Sequence, residues 1–320
     1  MFTILPIKGY IDQIDGFFCD GIHAGLKPNG NNDLGFIYTK EACTVAAIFT
    51  ENRFQAAPLK HFLAYEEGFK TNFVLINSKN ANALTGRKGI EDINTLFSKL
   101  NFDLINPIMS STGVIGNRLP IEKLVTGALK FDLTAKSGEN LSRAIMTTDA
   151  YPKTCLYEVK LEDGSSFKIG AVAKGAGMIN PNLATMLCFI CTDADVPYKD
   201  IKEALNKNKE TTFNAISVDG DTSTNDTVMV LANGKSNAYN KDAFCEALRL
   251  VMHDMAMLMV ADGEGAKKVA AFEVRNAATK EDAIKAAKAL SNSLLVKTAL
   301  FGEDPNFGRI ASTIGASQIA

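Results

Sequence analysis

Three runs in the middle of the chain, 167–172, 186–191 and 227–231, are almost unbroken in apolar residues. Such runs are what strands need when both faces of their sheet are covered by other structure. Runs of similar character lie at 44–49, 72–76 and 268–274. Helical patterns fall between them. Within 241–261, Phe244, Leu248, Val251, Met255 and Leu258 recur at spacings of three and four, one face of a long helix, and Gly263 is placed to end it. Pro120 suits the first turn of a helix over 121–131, and the Ala- and Lys-rich 282–291 reads as a partly exposed helix. The elements follow one another irregularly, with no internal repeat, low-complexity tract or linker. The predicted fold is α/β, a mixed α+β layered sandwich rather than regular βαβ winding.

Charge and composition narrow the function. Lys+Arg 34 against Asp+Glu 36 gives a net charge of −2, so no global field recruits nucleic acid or an anionic membrane. No run approaches the roughly 18 apolar residues of a membrane span. The first residues lack the basic region and apolar stretch of an export signal, so the expected location is the cytoplasm and the six cysteines read as reduced thiols.

Several chemistries lack their residues. His23, His61 and His253 have neither H-E-x-x-H nor His-x-x-x-His spacing, so no metal site is expected, and His253 reads as a packed or solvated ring on the long helix. Cys188 and Cys191 form a C-x-x-C inside a strand-like run, where alternation sends the two sulfurs to opposite faces. Read as a calcium loop starting at Asp219, the acidic stretch 219–226 and the residues after it place Thr224 and Val230 where Gly and Glu are needed. Gly175 and Gly177 begin a G-x-G-x-x-G that lacks its third glycine, and neither a P-loop nor G-x-S-x-G is present. No resident cofactor is expected.

One loop remains. Lys174-Gly-Ala-Gly-Met-Ile-Asn-Pro-Asn-Leu-Ala-Thr-Met-Leu187 joins two apolar runs through glycines and a proline that an ordinary connection does not need. Thr185 opens the second run, and Ala184 before it is small. Attack by the Thr185 hydroxyl on the Ala184 carbonyl, an N-to-O acyl shift and hydrolysis would free the threonine α-amine. That amine could then serve as general base for the same hydroxyl. Read without context, such a glycine-rich stretch is more often a structural turn before a strand.

The same stretch resembles the self-cleavage signature of the ornithine acetyltransferase (glutamate N-acetyltransferase) family of arginine biosynthesis. Further resemblance lies in Asn77-Ser-Lys-Asn-Ala-Asn82, Ser111-Thr-Gly-Val-Ile-Gly116, Met146-Thr-Thr-Asp149, Asp219-Gly-Asp-Thr-Ser-Thr-Asn-Asp226, Asp262-Gly-Glu-Gly-Ala266 and Phe301-Gly-Glu-Asp-Pro-Asn-Phe-Gly-Arg309. These seven ordered signatures run along essentially the whole chain.

The resemblance implies a fold of the self-processing N-terminal-threonine type and a cut between Ala184 and Thr185. It divides the chain into an α segment, 1–184, with the oxyanion hole and processing loop, and a β segment, 185–320, that begins with the nucleophile. Thr185 would take acetyl from N-acetylornithine as an ester and pass it to glutamate. Acetyl-CoA is a further possible acetyl donor. Thr112 and Gly113 would form the oxyanion hole. Thr147, Thr148, Lys174, Thr185 and Glu264 would hold the substrate, an ammonium suiting the amino-acid carboxylate and a carboxylate the ornithine amine. The resemblance also implies a heterotetramer of two α and two β chains. Taken alone, Glu264 reads as a helix-end surface acid, Lys174 as a solvated strand end, and 111–116 as a tight turn. Asp149 and the stretch from Asp219 to Asp226 either support the site or cap turns.

Family members continue past the region of Gly308-Arg309-Ile310, and their last segment adds an Asn and a hydroxyl residue to the pocket. Those two have no counterpart before Ala320, so the β segment reads as lacking the family's C-terminal part. Phe307, where the family carries Trp, and Lys79 within the 77–82 motif are smaller departures. Two other readings compete: an amide hydrolase or aminopeptidase with the same nucleophile, and an inactive, truncated paralogue.

Overall fold

The structure is a computed structural model that describes residues 1–180 and 186–319. In chain order its elements are β1 (Phe2–Pro6), β2 (Phe17–Ile22), β3 (Leu34–Phe49), α1 (Ala57–Leu63), β4 (Lys70–Asn77), α2 (Gly86–Ser98), β5 (Ile108–Ser111), α3 (Ile121–Ala128) and α4 (Gly138–Ala144). Then follow β6 (Lys153–Leu161), β7 (Ser166–Lys174), β8 (Leu187–Thr192), α5 (Tyr198–Lys209), β9 (Thr227–Ala232), α6 (Lys241–Ala261), α7 (Lys280–Asn292), α8 (Leu294–Phe301) and α9 (Phe307–Ala316). The nine strands form one mixed sheet in the order β1-β6-β7-β8-β9-β3-β4-β5, with β2 added on β3. Pairs β4–β5 and β8–β9 are parallel and the others antiparallel. This is the α/β layered architecture expected from the strand runs.

Both faces of the sheet are covered. In β7 and β8, Ile169, Ala171, Ala173, Cys188 and Ile190 pack in one cluster with α5 and α6 residues such as Ile201, Leu248 and Met255. Val172, Leu187, Phe189 and Cys191 pack on the other side with Ile14, Phe17 and Leu141. Cys188 and Cys191 therefore face opposite ways, and burial pushes both thiols far above the ordinary range. On that second side, Gly21 and Gly35 are register partners, and α4 lies close against them. A Cβ on Gly21 would come within 2.3 Å of the Asn140 carbonyl oxygen.

The long helix occupies the expected residues. Asn240 caps α6 by accepting from the Ala243 N–H at 2.9 Å, and at its far end the Gly263 N–H donates to the Val260 carbonyl at 3.2 Å. Elsewhere the structure corrects the sequence reading. β3 begins ten residues before the 44–49 run, because Lys40 and Glu41 interrupt its apolar pattern at a register shift between Tyr38 and Cys43. The helix expected over 121–131 ends at Ala128, with Pro120 as its N-cap. The run 268–274 is not a strand: it is largely exposed and pairs with none of the described strands. An apolar run becomes a strand only where a neighbour completes its hydrogen bonds. None of the described helices is long and apolar enough to cross a membrane.

Candidate active site

Lys174 is the last residue of β7 and stands in register opposite Leu187, the first residue of β8. The intervening loop is fixed at both described ends. Gly175 donates its N–H to Asp149 Oδ1 at 2.7 Å, and Ile179 donates to Asp219 Oδ1 at 3.0 Å. The Met178 N–H also donates to Asp219, from a residue in the left-handed region at φ 58. Beyond the loop, Met186 donates its N–H to Asp226 Oδ1 at 3.0 Å, and its carbonyl accepts from Thr227 N–H at 3.0 Å. Ala184 and Thr185, the expected cleavage site and nucleophile, lie outside the described residues.

Beneath Lys174 sits a charge cluster that the sequence reading missed. Lys153, fully buried at the start of β6, donates to Asp149 Oδ1 at 2.8 Å and to Asp262 Oδ2 at 2.5 Å. The two carboxylates spend their remaining capacity on backbone: Asp149 Oδ2 accepts from Thr147 N–H at 3.0 Å, and Asp262 Oδ2 from Ala150 N–H at 3.0 Å. Burial alone would push the Asp149 carboxyl up, but the Lys174 and Lys153 ammonium groups outweigh it and hold that carboxyl below its ordinary value. Asp262 caps the end of α6, so the cluster also sets where the next residues run. Glu264 donates its N–H to the Ala176 carbonyl at 2.8 Å, and its carboxylate crowds Gly177, where a Cβ would sit 2.7 Å from Oε1.

The 111–116 turn is braced on two sides. Ser111 Oγ donates to Asn77 Oδ1 at 2.6 Å, and Thr112 N–H donates to the Asn77 carbonyl at 3.0 Å. Asn225 reaches across to donate to the Ala81 and Ser111 carbonyls at 2.7 and 2.9 Å. Gly113 adopts φ 134, and a Cβ there would lie 2.2 Å from the Lys79 carbonyl carbon, so glycine alone fits. Among the described residues neither the Thr112 hydroxyl nor the Gly113 N–H has a hydrogen-bond partner.

A cavity of about 940 Å³ brings these parts together, and its walls include Thr112, Gly113, Thr147, Thr148, Lys174 and Glu264. Thr147 and Thr148 are both exposed to it. Lys174 differs from the solvated strand end that its position alone suggests. It is 3% exposed, and its ammonium has no hydrogen bond or ion pair among the described residues. Burial pulls its pKa down, against the opposing pull of Asp149, Asp226 and Glu264. Asp226, buried beside Met186, is pushed well up by its own burial. Lys153 and Asp262 escaped the sequence reading because each works through a partner remote in the chain, and Asn225 and Asp226 belong to the stretch that reading left open between supporting the site and capping turns. The one available signal was a lysine at an inward strand position. Among the described residues no three His, Cys, Asp or Glu side chains gather as metal ligands. A buried cation and two N–H or O–H donors, all without partners among the described residues, on one cavity suit acyl chemistry on a carboxylate-bearing substrate.

The chain matches the ArgJ family over residues 18–320. It is 58% identical to the arginine biosynthesis bifunctional protein ArgJ of Wolinella succinogenes, over 100% of this chain and 81% of that protein. It is 40% identical to the glutamate N-acetyltransferase of Methanothermobacter thermautotrophicus, over 97% of this chain and 78% of that protein. Among solved structures, the arginine biosynthesis bifunctional protein argJ of Bacillus halodurans superposes with a TM-score of 0.52 at 32% identity, over 58% of this chain and 99% of that one.

The buried cluster generates a stability prediction. Lys153→Met leaves two buried carboxylates without their cation and should cost about 3–5 kcal/mol in urea unfolding. The pH dependence follows from Asp149. Its folded pKa is depressed, so its contribution is present above the unfolded value of about 3.9 and is lost as pH falls through the folded value. Asp149→Asn should accordingly flatten the loss of stability below pH about 4. A Lys153→Met protein as stable as the parent would show that the cluster is dispensable.

Proposed function

The chain belongs to the ArgJ family, and from that membership we propose that it moves an acetyl group from N-acetylornithine to glutamate in arginine biosynthesis, through an ester on Thr185. The observation that carries this reading is the cavity where the buried Lys174 ammonium shares a wall with the Thr112 hydroxyl and Gly113 N–H, none of the three having a partner among the described residues. Lys174 takes the α-carboxylate of either amino acid, a charge-assisted contact strengthened by burial. Glu264, whose carboxylate makes no ion pair among the described residues, takes the ornithine side-chain ammonium. Thr147 and Thr148 line the path between them. Thr112 and Gly113 receive the oxyanion of each tetrahedral intermediate, from cleavage and from acetyl transfer alike.

The nucleophile is generated by the chain itself. Thr185 attacks the Ala184 carbonyl, the acyl shift turns the peptide into an ester and frees the α-amine, and hydrolysis of that ester releases the Ala184 carboxylate and the hydroxyl that the amine then activates. Three observations support this. Residue 186, one position after the proposed cut, is gripped from both sides by Asp226 and Thr227. The 184 residues before the bond are about 58% of the 320, the share matched by nearly all of the Bacillus halodurans chain. The sheet also tolerates the cut. β8 and β9 of segment 185–320 lie between β7 and β3 of segment 1–184, with six register pairs across each of the two seams. The segments are thus interleaved parts of one sheet, and neither is a domain that could leave.

Two measurements test the reading. Thr185→Ala should leave a single 34.5 kDa chain by intact mass, while Thr185→Ser should still cut, more slowly. With N-acetylornithine alone, the fragment beginning at Thr185 should gain one acetyl mass with a burst of ornithine, and glutamate should then discharge it. Hydrolysis equally fast with and without glutamate would replace the transferase by an amide hydrolase. Separately, Thr112→Ala should slow both cleavage and transfer about 100- to 1,000-fold, the usual cost of one lost oxyanion donor. Normal rates in that variant would move the oxyanion hole elsewhere.

A further inference from the structure

A transferase working by this cycle admits two amino acids of opposite side-chain charge to one pocket in turn. Ornithine carries an ammonium at the end of its side chain and glutamate a carboxylate. Lys174 and Glu264 account for the α-carboxylate and the ammonium, but they leave the glutamate side chain without a partner.

Three further cations line the cavity: Lys27, Lys79 and Arg143. Two are committed. The Lys27 ammonium donates to the Asn32 carbonyl at 2.6 Å, and Arg143 is paired with Glu139 at 2.9 Å. Lys79 has no hydrogen bond or ion pair from its side chain among the described residues. Its backbone is held tightly. Its carbonyl accepts from Val114 N–H at 3.1 Å, and its carbonyl carbon lies against Gly113. It also adopts φ 76, a left-handed conformation that disfavours any side chain and would suit glycine. A strained lysine whose ammonium is unspent thus stands beside the oxyanion turn, on the wall of the cavity.

We propose that Lys79 is the specificity-determining residue that receives the side-chain carboxylate of the acceptor glutamate, the counterpart of Glu264 for the donor. This rests on the transferase reading above. The charge has an asymmetric consequence. The Lys79 ammonium attracts the glutamate side chain and repels that of N-acetylornithine, so removing it moves the two substrates in opposite directions. A residue that merely held the turn in shape would move both the same way.

The test uses purified, self-cleaved enzyme and measures KM for each substrate separately, with glutamine as a neutral alternative acceptor. Lys79→Gly keeps the backbone, since glycine takes φ 76 without strain. It should raise the glutamate KM about tenfold, the scale of one charge-assisted hydrogen bond. It should also lower the N-acetylornithine KM and erase most of the preference for glutamate over glutamine. Lys79→Arg should restore the preference. An unchanged glutamate KM in Lys79→Gly, or a parallel rise for both substrates, would overturn the proposal while leaving the transferase intact. Parent enzyme that releases no ornithine from N-acetylornithine would overturn the transferase reading, and this one with it.

Discussion

The site depends on one buried ammonium. Lys153 is enclosed between Asp149 and Asp262, and through them it holds the backbone N–H groups of Thr147, Ala150 and Gly175. Three pieces of chain that share no sequence neighbourhood therefore meet at fixed positions: the turn after α4, the end of β7 and the end of α6. Charges buried to this depth are costly unless every lone pair and proton finds a partner, and here the carboxylates divide theirs between lysine and backbone. Lys174 is the exception. It shares the field of Asp149, lines the cavity, and makes no hydrogen bond or ion pair with its ammonium among the described residues. One lysine is spent on structure, and the other lies on the cavity wall as the proposed ligand for a substrate carboxylate.

The sheet supplies the second constraint. Loops hold the chemistry, but they leave strands whose partners come from both sides of the Ala184–Thr185 bond. Asn225, just ahead of β9, grips the Ser111 carbonyl, and its neighbours Asp226 and Thr227 grip Met186. The same three residues thus brace the 111–116 turn and Met186, which follows the proposed nucleophile. Their spacing is set by rigid strands rather than by a flexible connection, as a preorganised site requires.

The chain announces part of this architecture plainly. β7, β8 and β9 were legible because near-continuous apolar runs are what a twice-covered sheet demands, and α6 because its apolar face repeats over 21 residues. The opposed faces of Cys188 and Cys191 followed from strand alternation alone. Other parts were hidden by their physics. The first half of β3 is masked by Lys40 and Glu41 at its bend, and 268–274 has strand composition without a ladder partner. Within the site, Lys174, Glu264 and Thr112 came from family resemblance, since none stands in a local pattern that declares its role. Lys153 and Asp262 are separated by 109 residues, a pairing that only the folded sheet creates.

The most direct test is a crystal structure of the self-cleaved enzyme flash-cooled after soaking in N-acetylornithine. The account predicts the substrate α-carboxylate within hydrogen-bond distance of Lys174 Nζ, its side-chain ammonium at Glu264, and the acetyl oxygen between the Thr112 hydroxyl and the Gly113 N–H. A substrate bound with its carboxylate away from Lys174, or an acetyl oxygen remote from the 111–116 turn, would contradict the account.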